Sequence, residues 1–156
     1  MVTCDAINAM IDELWPDANV ECVALCSDHA RVQMPVAEHH LRPGAFISGP
    51  AQFSCADAAL WFLSSGALGR VEPMAVTQEL SIRFLRPAVG TRLFAEAKLE
   101  RQGRHSLVAS VRVWTTDEDS PTAVAQGTYQ LPNTDSHPMA SENKARQKTD
   151  TRGSTS

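Results

Sequence analysis

Several features that most readily announce a function are missing from this chain. It has no basic excess: 14 Lys and Arg stand against 18 Asp and Glu in 156 residues, a formal charge of -4. Such a balance offers no field for nucleic acid or for acidic lipid headgroups, so neither is expected as a partner. No run reaches the roughly 18 uninterrupted apolar residues of a membrane span. Residues 1–16 carry acids and no basic n-region, so a signal peptide is not expected there. No C-x-x-C pair occurs among Cys4, Cys22, Cys26 and Cys55. On one strand Cys22 and Cys26 would sit about 13 Å apart, too far to bridge. Free thiols in a reducing cytoplasm are the expectation. Without G-x-G-x-x-G, a P-loop or G-x-S-x-G, nucleotide-cofactor chemistry and a serine-triad elbow are not indicated. His39 and His40 are adjacent on what reads as an extended loop and should point apart. No third ligand follows at zinc spacing, so no metal site is expected.

Charge is scarcest between Pro43 and Gly69, where Asp57 is the single charged residue. The segment 51–65 is apolar and long enough for a buried helix, with Gly49 and Pro50 opening it and Gly66 closing it. A carboxylate in such a helix is either a desolvation cost without return or the reason for the helix. Phe53, Leu60 and Trp61 are its helical neighbours, a poor setting for a solvated face. An apolar setting would also raise the basicity of Asp57.

With 43% apolar residues the chain can bury one domain's core, expected over residues 1–132. An amphipathic helix is expected over 5–15, capped by Asp5 and stopped by Pro16. Strands are expected over 20–25 and 30–36, around a turn at Ser27, Asp28 and His29, followed by a loop over 39–48. Beyond Gly69 the pattern becomes period two. Val76, Leu80, Ile82 and Phe84 fall on one face, and Thr77, Glu79, Ser81 and Arg83 on the other. Further strands follow over 92–101, 107–113 and 122–131. The fold class is α+β, a helix among five or six antiparallel strands. Such a sheet leaves an exposed edge, which pairing in a homodimer would cover. Residues 133–156 contain no Val, Ile, Leu, Phe, Trp or Tyr, which reads as a disordered tail.

Four stretches in order then carry a likeness: H-L-R-P-G-A-F-I-S-G-P-A-Q-F-S-C-A-D-A-A, A-V-T-Q-E-L-S-I-R-F-L-R-P-A, R-Q-G-R-H-S-L-V-A-S-V-R-V and A-Q-G-T-Y-Q-L-P. Together they resemble the hotdog-fold acyl-CoA thioesterases, and within these the PaaI-like, phenylacetate-degradation type. The resemblance implies a long helix wrapped by a curved antiparallel sheet, a dimer or dimer of dimers, and sites at the subunit interface. It places the catalytic carboxylate on Asp57, the oxyanion-hole glycine on Gly49 and a water-placing hydroxyl on Thr77. Ser48-Gly49-Pro50 stands where many members have His-Gly-Gly, and Arg42 where some have Asn.

The residues themselves fit that chemistry. Gly49 lets a carbonyl approach closely, and with Pro50 lacking an N–H the amides of Gly49 and Ala51 are the donors at the helix start. Arg42, Ser48, Trp61, Arg86 and Arg104 are candidates for substrate binding. Arg86 and Arg104 suit the phosphates of coenzyme A, although each taken singly also reads as a solvated turn cation. Thr77 reads equally as an ordinary strand residue. The expected function is hydrolysis of a small, medium-chain or aryl acyl-CoA, with no cofactor beyond the coenzyme A of the substrate. The rivals are an enoyl-thioester hydratase or dehydratase and a non-catalytic acyl-thioester-binding module.

Overall fold

The chain opens with helix α1 (Cys4–Leu14), then strands β1 (Glu21–Leu25), β2 (His29–Pro35), β3 (Leu41–Arg42) and β4 (Phe46–Ile47). The long helix α2 (Gly49–Leu68) follows, and after it β5 (Val76–Phe84), β6 (Arg92–Gln102), β7 (Ser106–Trp114) and β8 (Ala123–Gln130). This computed structural model describes residues 1–133; from Thr134 on, the expected tail lies outside the described residues. Six strands form one antiparallel sheet in the order β1-β2-β6-β7-β8-β5, and β3 and β4 pair separately. The α+β hotdog arrangement expected from the sequence is therefore present.

Small residues let α2 sink into the sheet. Ala30, Ala95, Ala97, Ala109, Ala123 and Ala125 are buried beneath it, along with Ala51, Ala56 and Ala59 of the helix itself. Gly127 marks the closest approach, where an added Cβ would lie 2.5 Å from Leu60 Cδ1. Leu60, Phe62 and Leu63 are fully buried, each worth about 2 kcal/mol by the apolar area removed from water.

Local capping corrects two expected boundaries. Thr3, not Asp5, caps α1 by accepting from the Ala6 amide. Helix α2 continues past Gly66 to Leu68, and Gly69 ends it in the left-handed conformation. Gly66 serves packing instead, since a Cβ there would come within 2.3 Å of the Cys26 carbonyl oxygen.

Strand β5 also departs from simple alternation. Leu80 and Ile82 pack on the core, but Val76 and Phe84 are about half exposed. The reason is position: β5 is a sheet edge, bonded to β8 on one side only among the described residues.

Candidate active site

One stripe of α2 escapes burial. Ser54, Asp57, Ala58 and Trp61 follow helical spacing and line a cleft of about 360 Å³. Trp15, Phe53 and Met34 line it too, as do His39 and His40. Asp57 is half-buried. Its setting is more polar than expected, because two hydroxyls converge on one carboxylate oxygen. Thr77 Oγ1 donates to Asp57 Oδ1 at 2.6 Å and Tyr129 Oη donates to the same atom at 2.7 Å. The carboxylate is thus held by one oxygen, and the other, Oδ2, receives no hydrogen bond from the described residues.

A β-bulge makes this possible. On β5, Thr77 pairs with Tyr129 but Glu79 pairs with Thr128, so Gln78 is the extra residue. Strict alternation puts Thr77 opposite Leu80; the bulge returns it to the face that Leu80 and Tyr129 share. Burial, with the Asp57 carboxylate beside it, pushes the Tyr129 phenol above its ordinary range. It therefore stays a donor at neutral pH. Tyr129 escaped the sequence reading, although the chain's single tyrosine stands at an inward position of its last strand, within A-Q-G-T-Y-Q-L-P.

The start of α2 offers a different half of the chemistry. Gly49 lines a shallow depression of about 490 Å³ with Arg42, Phe84 and Arg86. The Gly49 amide has no acceptor among the described residues. The Ala51 amide, expected to be available, instead donates to Ser48 Oγ at 3.2 Å. Ser48 is accordingly the N-cap of α2. A Cβ on Gly49 would lie 3.1 Å from Phe84 Cζ.

The structure therefore divides the residues singled out by sequence. Asp57, Thr77 and Trp61 belong to one end of β5; Gly49, Ser48, Arg42 and Arg86 belong to the other. Eight residues of helix separate Gly49 from Asp57, about 12 Å of rise. Arg104 lines neither depression; it sits in the β6–β7 turn, at the end of the sheet where Leu107, Tyr129 and Thr77 pair. Trp61 lines the Asp57 cleft with its indole N–H buried and without an acceptor among the described residues. His39 and His40 do not point apart: a 3-10 turn at Glu38–His40 brings their rings together, tilted by 51° with centroids 4.1 Å apart. His40 Nδ1 accepts from the Ala37 amide, and burial, with His39 alongside, lowers the His40 pKa.

Comparison with known proteins bears on the family and the fold. A model of the thioesterase superfamily matches residues 44–122. A candidate thioesterase of Silicibacter sp. TM1040 is 31% identical, the match covering 85% of this chain and 94% of that one with a TM-score of 0.75. A conserved protein of Pseudomonas aeruginosa is 29% identical over 77% of this chain and 92% of its own, with a TM-score of 0.65. The PaaI protein of the Escherichia coli phenylacetic acid degradation operon shares the fold, at 22% identity over 80% and 92% and a TM-score of 0.66. Among curated proteins there is no match.

Proposed function

This chain belongs to the thioesterase superfamily, and from that premise we propose that it hydrolyses a small, medium-chain or aryl acyl-CoA at a site shared between two copies. The observation that carries this reading is the placement of Gly49 and Asp57 at opposite ends of one edge strand. Gly49 lies against Phe84 at one end of β5, and Asp57 bonds Thr77 at the other. Antiparallel pairing of β5 with a second copy sets the Phe84 end of one strand beside the Thr77 end of the other. The amide of one copy then stands near the carboxylate of its partner, twice per dimer. The same pairing covers an edge that would otherwise present unpaired backbone groups.

The reaction follows from these roles. The thioester carbonyl oxygen rests on the Gly49 N–H, at the positive end of the α2 dipole. Asp57 Oδ2 takes a proton from water, whose oxygen attacks the carbonyl carbon; the carbon–sulfur bond then breaks and the thiolate of coenzyme A leaves. Direct attack by Oδ2 gives the same products through an acyl-enzyme. A single turnover in oxygen-18 water reveals direct attack when water opens the acyl-enzyme at the Asp57 carbonyl, because the released acid then carries an enzyme oxygen and Asp57 carries the label. Trp15, Phe53 and Trp61 form an apolar wall for the acyl group. Arg42 and Arg86 flank Gly49, and pairing brings Arg104 of the partner to the same end, where all three suit the phosphates. A cytoplasmic setting suits a chain of four cysteines that contains no C-x-x-C pair.

The test is a thiol-release screen over short, medium, long and aryl acyl-CoAs, run beside Asp57→Asn. Turnover by a folded Asp57→Asn variant at near wild-type rate would overturn the assignment. One observation favours a second reading: His39 and His40 line the cleft of Asp57, as an enoyl-thioester hydratase would require. Loss of enoyl-CoA absorbance without release of thiol would support that reading; a stable absorbance, or a loss that tracks thiol release, rejects it.

A further inference from the structure

At the far end of β1 from Asn19 and Val20, which line the Asp57 cleft, the turn into β2 gathers three donors of different kinds. Cys26 Sγ lies 2.7 Å from His29 Nδ1 and 2.8 Å from Asp28 Oδ1, and the last two atoms are 3.2 Å apart. No other trio of metal-ligating side chains comes together among the described residues. The backbone beneath them is pinned. The Cys26 amide donates to the His29 carbonyl at 2.9 Å, and the Leu99 amide donates to the Asp28 carbonyl at 2.8 Å. The Cys26 carbonyl is packed against Gly66 with no room for a Cβ. These donors are therefore delivered by a rigid turn, which removes most of the ordering cost of assembling a site.

The chemistry and the surroundings point the same way. Sulfur, imidazole nitrogen and carboxylate oxygen form a set suited to zinc-like cations, whereas magnesium and calcium take oxygen alone. Tetrahedral bond lengths to sulfur and nitrogen imply a separation of roughly 3.5 Å between those ligands. Opening the present contact to that value takes less than 1 Å, within reach of a side-chain rotation. The turn abuts the last turn of α2, which carries no basic side chain. The last turn thus offers no cation to the negative end of the helix dipole, Arg70 lying beyond the C-cap Gly69.

We propose that Cys26, Asp28 and His29 bind a thiophilic divalent cation of the zinc class, with water completing its coordination. The site braces the β1–β2 turn against the end of α2 and takes no part in thioester hydrolysis. These ligands come from a different turn than His39 and His40, the adjacent pair at which no metal is expected.

The experiment titrates the full-length, metal-stripped protein with Co2+, whose thiolate charge-transfer absorption reports a cysteine ligand, and then displaces it with Zn2+. One equivalent is expected to develop the absorption. Cys26→Ser abolishes it, His29→Ala weakens binding at least tenfold, and Cys4→Ser changes neither. Zn2+ is also expected to raise the thermal midpoint of the wild type but not of His29→Ala. Absence of the absorption at a slight excess of Co2+ overturns the proposal. So does an absorption that survives in Cys26→Ser, which would assign the metal to the separate pair Cys4 and Cys22.

Discussion

The two ends of β5 make an instructive pair. At the Phe84 end the chemistry is all backbone: an amide at a helix start, without an acceptor among the described residues, beside a glycine that leaves the approach open. At the Thr77 end it is all side chain, a carboxylate steadied by two hydroxyls on one oxygen. One end is suited to receiving negative charge and the other to taking a proton. Neither suffices for a thioester, and one chain holds them about 12 Å apart along the helix. The contrast teaches that two complementary groups can each be well formed in one chain without meeting there, which is what the proposed pairing of two copies would remedy.

The largest effect should come from emptying the side-chain end. Asp57→Asn keeps the shape and both hydroxyl neighbours but loses the base, and kcat/KM should fall about 10³-fold in thiol release. Circular dichroism should show an unchanged fold. Gly49→Val should cost about 10²-fold by blocking the carbonyl. The sharper test mixes these two inactive proteins after unfolding and refolding them together. If each site takes one end from each copy, the mixed dimer has one doubly damaged site and one intact site, and activity returns. A mixture no more active than its components would place both ends in one chain's site.

A smaller loss is expected from the two hydroxyls. Tyr129→Phe and Thr77→Val each remove one hydrogen bond to the carboxylate, and each should lower kcat about tenfold with KM nearly unchanged. Deleting Gln78 should reproduce the Thr77→Val loss in an otherwise folded protein, because removing the bulge turns Thr77 away. If the deletion leaves kcat untouched, the bulge does not position Thr77.

The smallest effect concerns pH. The folded Tyr129 phenol titrates above its ordinary value, while in the unfolded chain it ionises near pH 10. Its contribution is fully present below that pH. Above it the unfolded state ionises first, so stability falls as pH rises toward the folded value. Because the chain has one tyrosine, near-ultraviolet titration reads this group alone. Ionisation of the native protein near pH 10 would contradict the burial of this phenol and its contact with Asp57.

Much of this was legible in the residues. The apolar stretch with a single acid located α2 and Asp57, Gly49 and Pro50 marked its start, and alternation found the long strands. These are local matters, set by periodicity, backbone freedom and turn chemistry. The bulge was not legible, since alternation assigned Thr77 to the face away from Leu80, and only cross-strand pairing reveals that Gln78 is extra. Tyr129 was hidden for a related reason: an inward residue on the last strand is indistinguishable from core until the helix beside it is placed. Nor could spacing foresee that a 3-10 turn would bring the rings of His39 and His40 together, or that Cys26, Asp28 and His29 would meet. The sequence by itself determined a helix, its one acid and the strands around it. Tertiary structure alone decided which hydroxyls hold that acid and which end of β5 each half-site occupies, because pairing register and packing fix contacts between residues far apart in the chain.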